Sequence, residues 1–185
     1  MIGLLVAGCT PDPGPGPGTS PSPGVSSSTP SPTPTENAQE RQQRLDFEAA
    51  EKAYLTAFTE TDRIAISGGA SKATRPLIEN TMGAYLDLQM EGLRALKEEG
   101  WRSSRAGVVA VTASGGWTDR ELTFTACEDT SAVKLLDSSG REVQKNRPRK
   151  FLQELTATRA DGRWKISDVD SRVVKTFDNE SGCAA

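Results

Sequence analysis

KFLQELTATRADGRWKISDV, residues 150–169, is the stretch that decides the fold of this 185-residue chain. Two runs that suit strands flank Asp161-Gly162, a dipeptide that favours the tightest hairpin turns because both positions tolerate positive φ. The spacing predicts one long strand over 150–159 and a second over 163–169, with Trp164 and Ile166 facing inward. Residues 170–177 either extend that second strand or form a short sixth one.

Reading upstream, the same two-residue period recurs. In 121–127, Leu122, Phe124 and Ala126 fall on one face and Glu121, Thr123, Thr125 and Cys127 on the other. Residues 108–112 and 133–136 read as further strands, the second closed by the turn Ser138-Ser139-Gly140. Before residue 105 the period is helical. Thr33-Pro34-Thr35-Glu36 offers an N-cap, a proline at the first helical position and an acid at the third, so a helix is expected to run to about Thr61. Phe47, Ala50, Tyr54, Ala57, Phe58 and Thr61 form its apolar face, and Glu40, Arg44, Glu48 and Lys52 its solvated one. Ser67-Gly68-Gly69 interrupts the pattern. A second helical region follows, with Pro76 in its first turn and Gly100 at its end. Its buried stripe is Ile78, Met82, Tyr85, Leu86, Gln89, Leu93 and Leu96, and Gly83 and Gly92 weaken it or let it bend. Helices followed by antiparallel strands define an α+β fold, in which N-terminal helices pack on a strongly curved antiparallel sheet of about five to six strands.

The N-terminal segment has a different character. Leu4-Leu5-Val6-Ala7-Gly8 is apolar and ends in small residues just before Cys9. It is too short to span a bilayer. Val6-Ala7-Gly8-Cys9 resembles a bacterial lipobox, in which a signal peptidase cleaves before the cysteine and the thiol carries a diacylglycerol. The expected organisation is a truncated lipoprotein signal peptide over 1–8 and the lipidated Cys9 with a disordered Pro/Gly/Ser/Thr linker over 9–33. A folded domain over 34–178 and a short tail over 179–185 follow. Alternating Pro-Gly and Ser/Thr-Pro steps cannot build a packed core, so the linker serves as a stalk. This places the protein on the extracytoplasmic face of the cell membrane. Cys127 and Cys183 then remain as a pair able to form a disulfide outside the cytoplasm.

The chain contains no histidine and carries a formal net charge of −3. The first fact removes Ser-His-Asp and Cys-His catalysis, His-based zinc sites and histidine pH switches. The second gives no overall drive toward nucleic acid. No phosphate-binding glycine loop is present, because Ser67-Gly68-Gly69 lacks a following Lys-Ser/Thr. Glu128-Asp129 lacks the third spaced ligand a metal requires. No cofactor, metal or catalytic residue is expected.

The segments Glu99-Gly100-Trp101, Leu122-Thr123-Phe124-Thr125-Ala126-Cys127-Glu128-Asp129 and Asp161-Gly162-Arg163-Trp164-Lys165-Ile166 resemble those of nuclear-transport-factor-2-like domains. In particular, the chain is similar to actinobacterial lipoproteins that place such a domain behind a lipobox and a Pro/Thr-rich linker. The resemblance covers about residues 40–177 and implies a sheet bent around helices into a cone. Members of this family include steroid isomerases, polyketide cyclases, dehydratases and many non-enzymatic binding or assembly domains. Its enzymes use an aspartate, with or without histidine, and a tyrosine donor inside the cone. Tyr54, Tyr85, Phe58 and Phe124 are therefore the candidate pocket residues. Trp117, in what reads as a turn at Ser114-Gly115-Gly116-Trp117-Thr118, is the candidate contact surface. The basic cluster Lys145-Asn146-Arg147-Pro148-Arg149-Lys150 reads as a solvated loop entering an edge strand, with anionic lipid headgroups as the other reading. The leading expectation is a non-catalytic, lipid-anchored envelope protein that binds a partner protein or a small apolar ligand. The alternatives are an isomerase- or hydratase-like enzyme with a cone pocket, or a structural accessory of an export, conjugation or lipid-transport complex.

Overall fold

The structure, a computed structural model, describes residues 36–175 apart from Arg147, and leaves the side chains of Ala113 and Ser114 undescribed. Cys9, the linker and Cys183 lie outside the described residues. The first helix, α1 (Ala38–Ile66), begins four residues later than the sequence predicts. Its N-cap is Asn37, whose side chain accepts from Glu40 N–H at 2.9 Å while the Glu40 carboxylate accepts from Asn37 N–H at 2.9 Å. This reciprocal pair satisfies two of the backbone donors that a helix start leaves open; Thr33, Pro34 and Thr35 of the expected box lie outside the described residues. Glu36 accepts from Arg44 at 3.0 Å. The helix runs past Thr61 because Ile64 and Ala65 are also buried.

The second helical region is two helices, α2 (Arg75–Asn80) and α3 (Gly83–Glu99), where the sequence predicts one. The break follows from a competing strand contact. Thr81 is buried, and both its N–H and its hydroxyl bond back to Leu77 O, at 2.8 and 2.7 Å. The next donor, Met82 N–H, goes to Ile166 O at 2.8 Å. Gly83 then adopts φ +56, and a Cβ there would lie 3.2 Å from Ser167 O. With α2 rotated independently, Leu77 takes the buried position and Ile78 is left 49% exposed. Gly100 ends α3 in the left-handed region as expected, and Trp101 N–H donates to Leu96 O at 2.8 Å.

Among the described residues six strands follow: β1 (Arg102–Ser103), β2 (Val108–Trp117), β3 (Glu121–Asp129), β4 (Leu135–Leu136), β5 (Lys150–Ala160) and β6 (Arg163–Val173). They do not form one sheet. Four make an antiparallel sheet of order β2-β3-β5-β6, and β1 pairs with β4 as a separate ribbon. Thr130 N–H bonds to Arg149 O at 2.7 Å, closing an excursion between them so that β3 pairs directly with β5. β5 is therefore an interior strand, not the edge strand expected after the basic cluster. The hairpin forms as read, with Asp161 at φ 54 and Gly162 at φ 73, and β6 extends to Val173.

Register aligns Leu122 with Ala157 and Ile166, and Phe124 with Leu155 and Val169, on the helix-facing side. These residues join Ala50, Tyr54, Tyr85 and Trp164 in one core. A second core, around Ala57, Ile64, Leu77, Met90 and Leu93, lies among the helices. Each large apolar side chain buried in this way contributes on the order of 1.5–3 kcal/mol. No described helix is long and apolar enough to cross a membrane.

Candidate functional site: a filled interior and an uncharged cavity

The α1 stripe brings Tyr54 to the sheet, and α3 brings Tyr85 to the same core. The Tyr54 ring meets Phe124 edge-on at 5.8 Å and lies 6.3 Å from Phe58. The Tyr54 hydroxyl donates to Gln153 Oε1 at 2.8 Å, and Gln153 Nε2 donates to Glu128 Oε2 at 2.8 Å. Burial pushes the phenol of each tyrosine well above its ordinary range, and the charge of Glu128 adds to this. Both phenols therefore stay neutral, and that of Tyr54 serves as a donor within the core. Three of the four candidate pocket residues, Tyr54, Tyr85 and Phe124, are thus packed together at 3% exposure or less. Phe58 lies apart, on the wall of a cavity of about 320 Å³ with Asp62 and Gly107.

A buried carboxylate that the sequence reading passed over organises the other end of this core. Asp46 is 3% exposed. One of its oxygens accepts from Trp164 Nε1 at 2.9 Å and the other from Trp117 Nε1 at 3.1 Å. Gln42 adds a third donor at 3.0 Å, and the Arg159 guanidinium lies 3.9 Å from the carboxylate and 5.7 Å from the centre of a Trp164 ring. The signal was present in the sequence, since Asp46, Ala50 and Tyr54 repeat at the four-residue spacing of the buried stripe. Trp117 is correspondingly not an exposed turn residue. It ends β2, is half-buried and packs against the core. Its strand pairing with Leu122 holds the indole toward Asp46.

A second cavity, of about 340 Å³, lies between α1, α3 and the β1–β4 ribbon. Thr61, Ala65, Leu88, Leu96, Trp101 and Leu135 form most of its wall, and no charged side chain lines it. Thr61 Oγ1 is buried and has no hydrogen-bond partner. In the Phe58 cavity, Asp62 accepts from Gly107 N–H at 2.9 Å. Burial raises the pKa of that carboxyl, and the hydrogen bond opposes the rise. A shallower groove along α1 is lined by Glu48, Glu51, Lys52 and Pro76 among others. The basic cluster is largely engaged within its own loop. Arg149 donates to Ser131 O at 2.7 Å and Lys145 O at 3.0 Å, and Lys150 pairs with Asp129 at 3.3 Å. Among the described residues no group of acidic, cysteine or histidine side chains could hold a metal ion.

No family model matches the chain, and no curated protein matches it. Solved structures do. The chain is similar to the intermembrane-space region of the chloroplast protein ARC6, with a TM-score of 0.52 and 14% identity over 69% of this chain and 96% of that one. It is also similar to the Kfla4162 protein from Kribbella flavida, at a TM-score of 0.44 and 12% identity over 75% of this chain and 97% of that one. A cystatin-like domain of unknown function from Nostoc punctiforme aligns at a TM-score of 0.40 and 9% identity, over 74% of this chain and 82% of that one. At these identities the likeness is one of fold.

Proposed function

We propose that this chain is a non-catalytic binding domain of the actinobacterial cell envelope, tethered through a lipid on Cys9 to the extracytoplasmic face of the membrane. The observation that supports binding over chemistry is the packed interior. Acid–base catalysis needs open space beside a positioned donor or acceptor. Here the Tyr54 hydroxyl is engaged by Gln153 and both oxygens of Asp46 by indoles. What the domain holds is a partner protein or a small apolar ligand. The tether rests on Val6-Ala7-Gly8-Cys9 and on the Pro-rich stalk behind it. Two acyl chains on one cysteine give stable anchoring where a single chain would not.

Metabolic labelling with a palmitate analogue, followed by membrane fractionation of the wild-type chain and Cys9→Ser, tests the tether. Wild type takes up label and sediments with membranes, whereas Cys9→Ser stays unlabelled and is released. A Cys9→Ser chain that sediments as wild type does sinks the proposal.

A further inference from the structure

We infer that the cavity between α1, α3 and the ribbon is a binding site for a small, neutral ligand with one or two rings and a hydroxyl, carbonyl or amide group. The inference rests on the binding-domain reading and names the ligand class. Position separates this cavity from the packed interior. Its wall draws on Thr61 and Ala65 of α1, Leu88 and Leu96 of α3, and Leu135 of β4, with no residue from the four-stranded sheet.

Charge sets the chemistry. One residue in four of this chain is charged, yet none lines the cavity. An ionic ligand would give up part of its hydration against these walls with no counter-ion to replace it, so the site favours neutral molecules. Polarity is present in small amount. The amides of Gln89 and Gln144 lie on the cavity wall. A ligand that covers these amides has to satisfy them, so it carries a hydrogen-bonding group. Size and shape complete the description. About 340 Å³ is near the small end of ligand sites, and Trp101 offers an aromatic wall on which a ring can pack.

Gly92 supplies the means to test this. It lines the cavity, and a Cβ built there meets nothing within 4 Å. Gly92→Leu therefore fills the site from a helical position that tolerates a side chain. Leu88→Asp is a second variant, placing a carboxylate on a wall residue that is already 51% exposed.

The experiment is a titration of the full chain with 6-propionyl-2-(dimethylamino)naphthalene, a neutral two-ring ketone whose emission rises and shifts to the blue in apolar surroundings. Wild type should bind one equivalent saturably. Both variants should bind at least about tenfold more weakly, with thermal unfolding that still shows a single cooperative transition. Unsaturable uptake by wild type, or wild-type affinity in both variants, overturns the site. Because the titration needs no membrane, a chain that sediments with membranes yet binds no probe rejects this site while leaving the tether intact.

Discussion

Trp164 Nε1 donates to Asp46 Oδ1 at 2.9 Å across 118 positions of sequence, and Trp117 Nε1 reaches the other carboxylate oxygen. One side chain of α1 thereby joins the two edge strands of the sheet, β2 and β6, to the helix that covers them. Replacing it with alanine leaves the Trp164 donor buried at 5% exposure without an acceptor. An unsatisfied buried donor costs about 1–3 kcal/mol, more where a charged partner is lost. Asp46→Ala is expected to destabilise by ~2–4 kcal/mol in urea unfolding, and Asp46→Asn, which keeps one acceptor oxygen, by roughly half as much. An Asp46→Ala chain with an unchanged urea midpoint would show that the bracket carries no stability.

Two glycines of α3 should respond to alanine in opposite directions. Gly83 sits at φ +56 with Ser167 O 3.2 Å from any added Cβ, so Gly83→Ala should cost ~1–2 kcal/mol. Gly92 has open space around it within the helix, so Gly92→Ala should gain about 0.5–1 kcal/mol. Thermal melts of the two single variants check both signs, and equal shifts would contradict the helix break as described.

Burial lifts the Asp62 carboxyl above its ordinary 3.8, with the Gly107 N–H opposing. Between the unfolded value and this raised folded value the native chain holds more proton than the unfolded one, so stability falls as pH rises through that window. Above it the penalty is constant. Asp62→Asn removes the penalty while its amide oxygen can still accept from Gly107. The variant should melt higher than wild type at neutral pH, and the gap should close as pH drops below 3.8. A gap that persists unchanged into acid would assign the effect to something other than titration.

Cys127 alternates with Ala126 and pairs with Ala110 and Leu152, which puts it on the sheet face turned away from the helices, yet it is 2% exposed. We predict that it is disulfide-bonded to Cys183. Peptide mapping of the exported protein without reductant should recover the cross-linked pair. Reduction should lower stability by about 3–5 kcal/mol in the chain-entropy treatment of a long loop. Quantitative alkylation of both cysteines before reduction would refute the pairing.

Legibility of the fold in the sequence tracked the range of the interactions involved. The 161–162 turn, the 121–127 alternation and the Gly100 stop are local, governed by φ preferences and side-chain period, and all three are present in the structure. The split at Thr81 could not be read locally, because a strand carbonyl from Ile166 takes the next backbone donor. Asn37 and Glu40 carry the same three-residue spacing that Thr33 and Glu36 do, and it is between Asn37 and Glu40 that the reciprocal hydrogen bonds are seen. Trp117 illustrates the same limit. Flanking glycines suggest a turn, but a buried acceptor contributed by α1 draws the indole inward. The uncharged cavity was illegible for a related reason. Its walls come from Thr61, Leu88, Trp101 and Leu135, scattered over separate elements, and no motif marks their meeting.

The excursion between β3 and β5 is fastened at its base, where Thr130 N–H and Oγ1 both reach Arg149 O, at 2.7 and 3.1 Å. That clasp holds the two long strands in step, and beyond it β4 pairs with β1 instead of with the main sheet. Leu135 and Gln144, which line the cavity, lie on this excursion. The architecture thus sets a four-stranded sheet apart from a two-stranded ribbon that walls the cavity. Substitutions at Leu135 or Gln144 therefore change the cavity wall while every residue of the four-stranded sheet keeps its place.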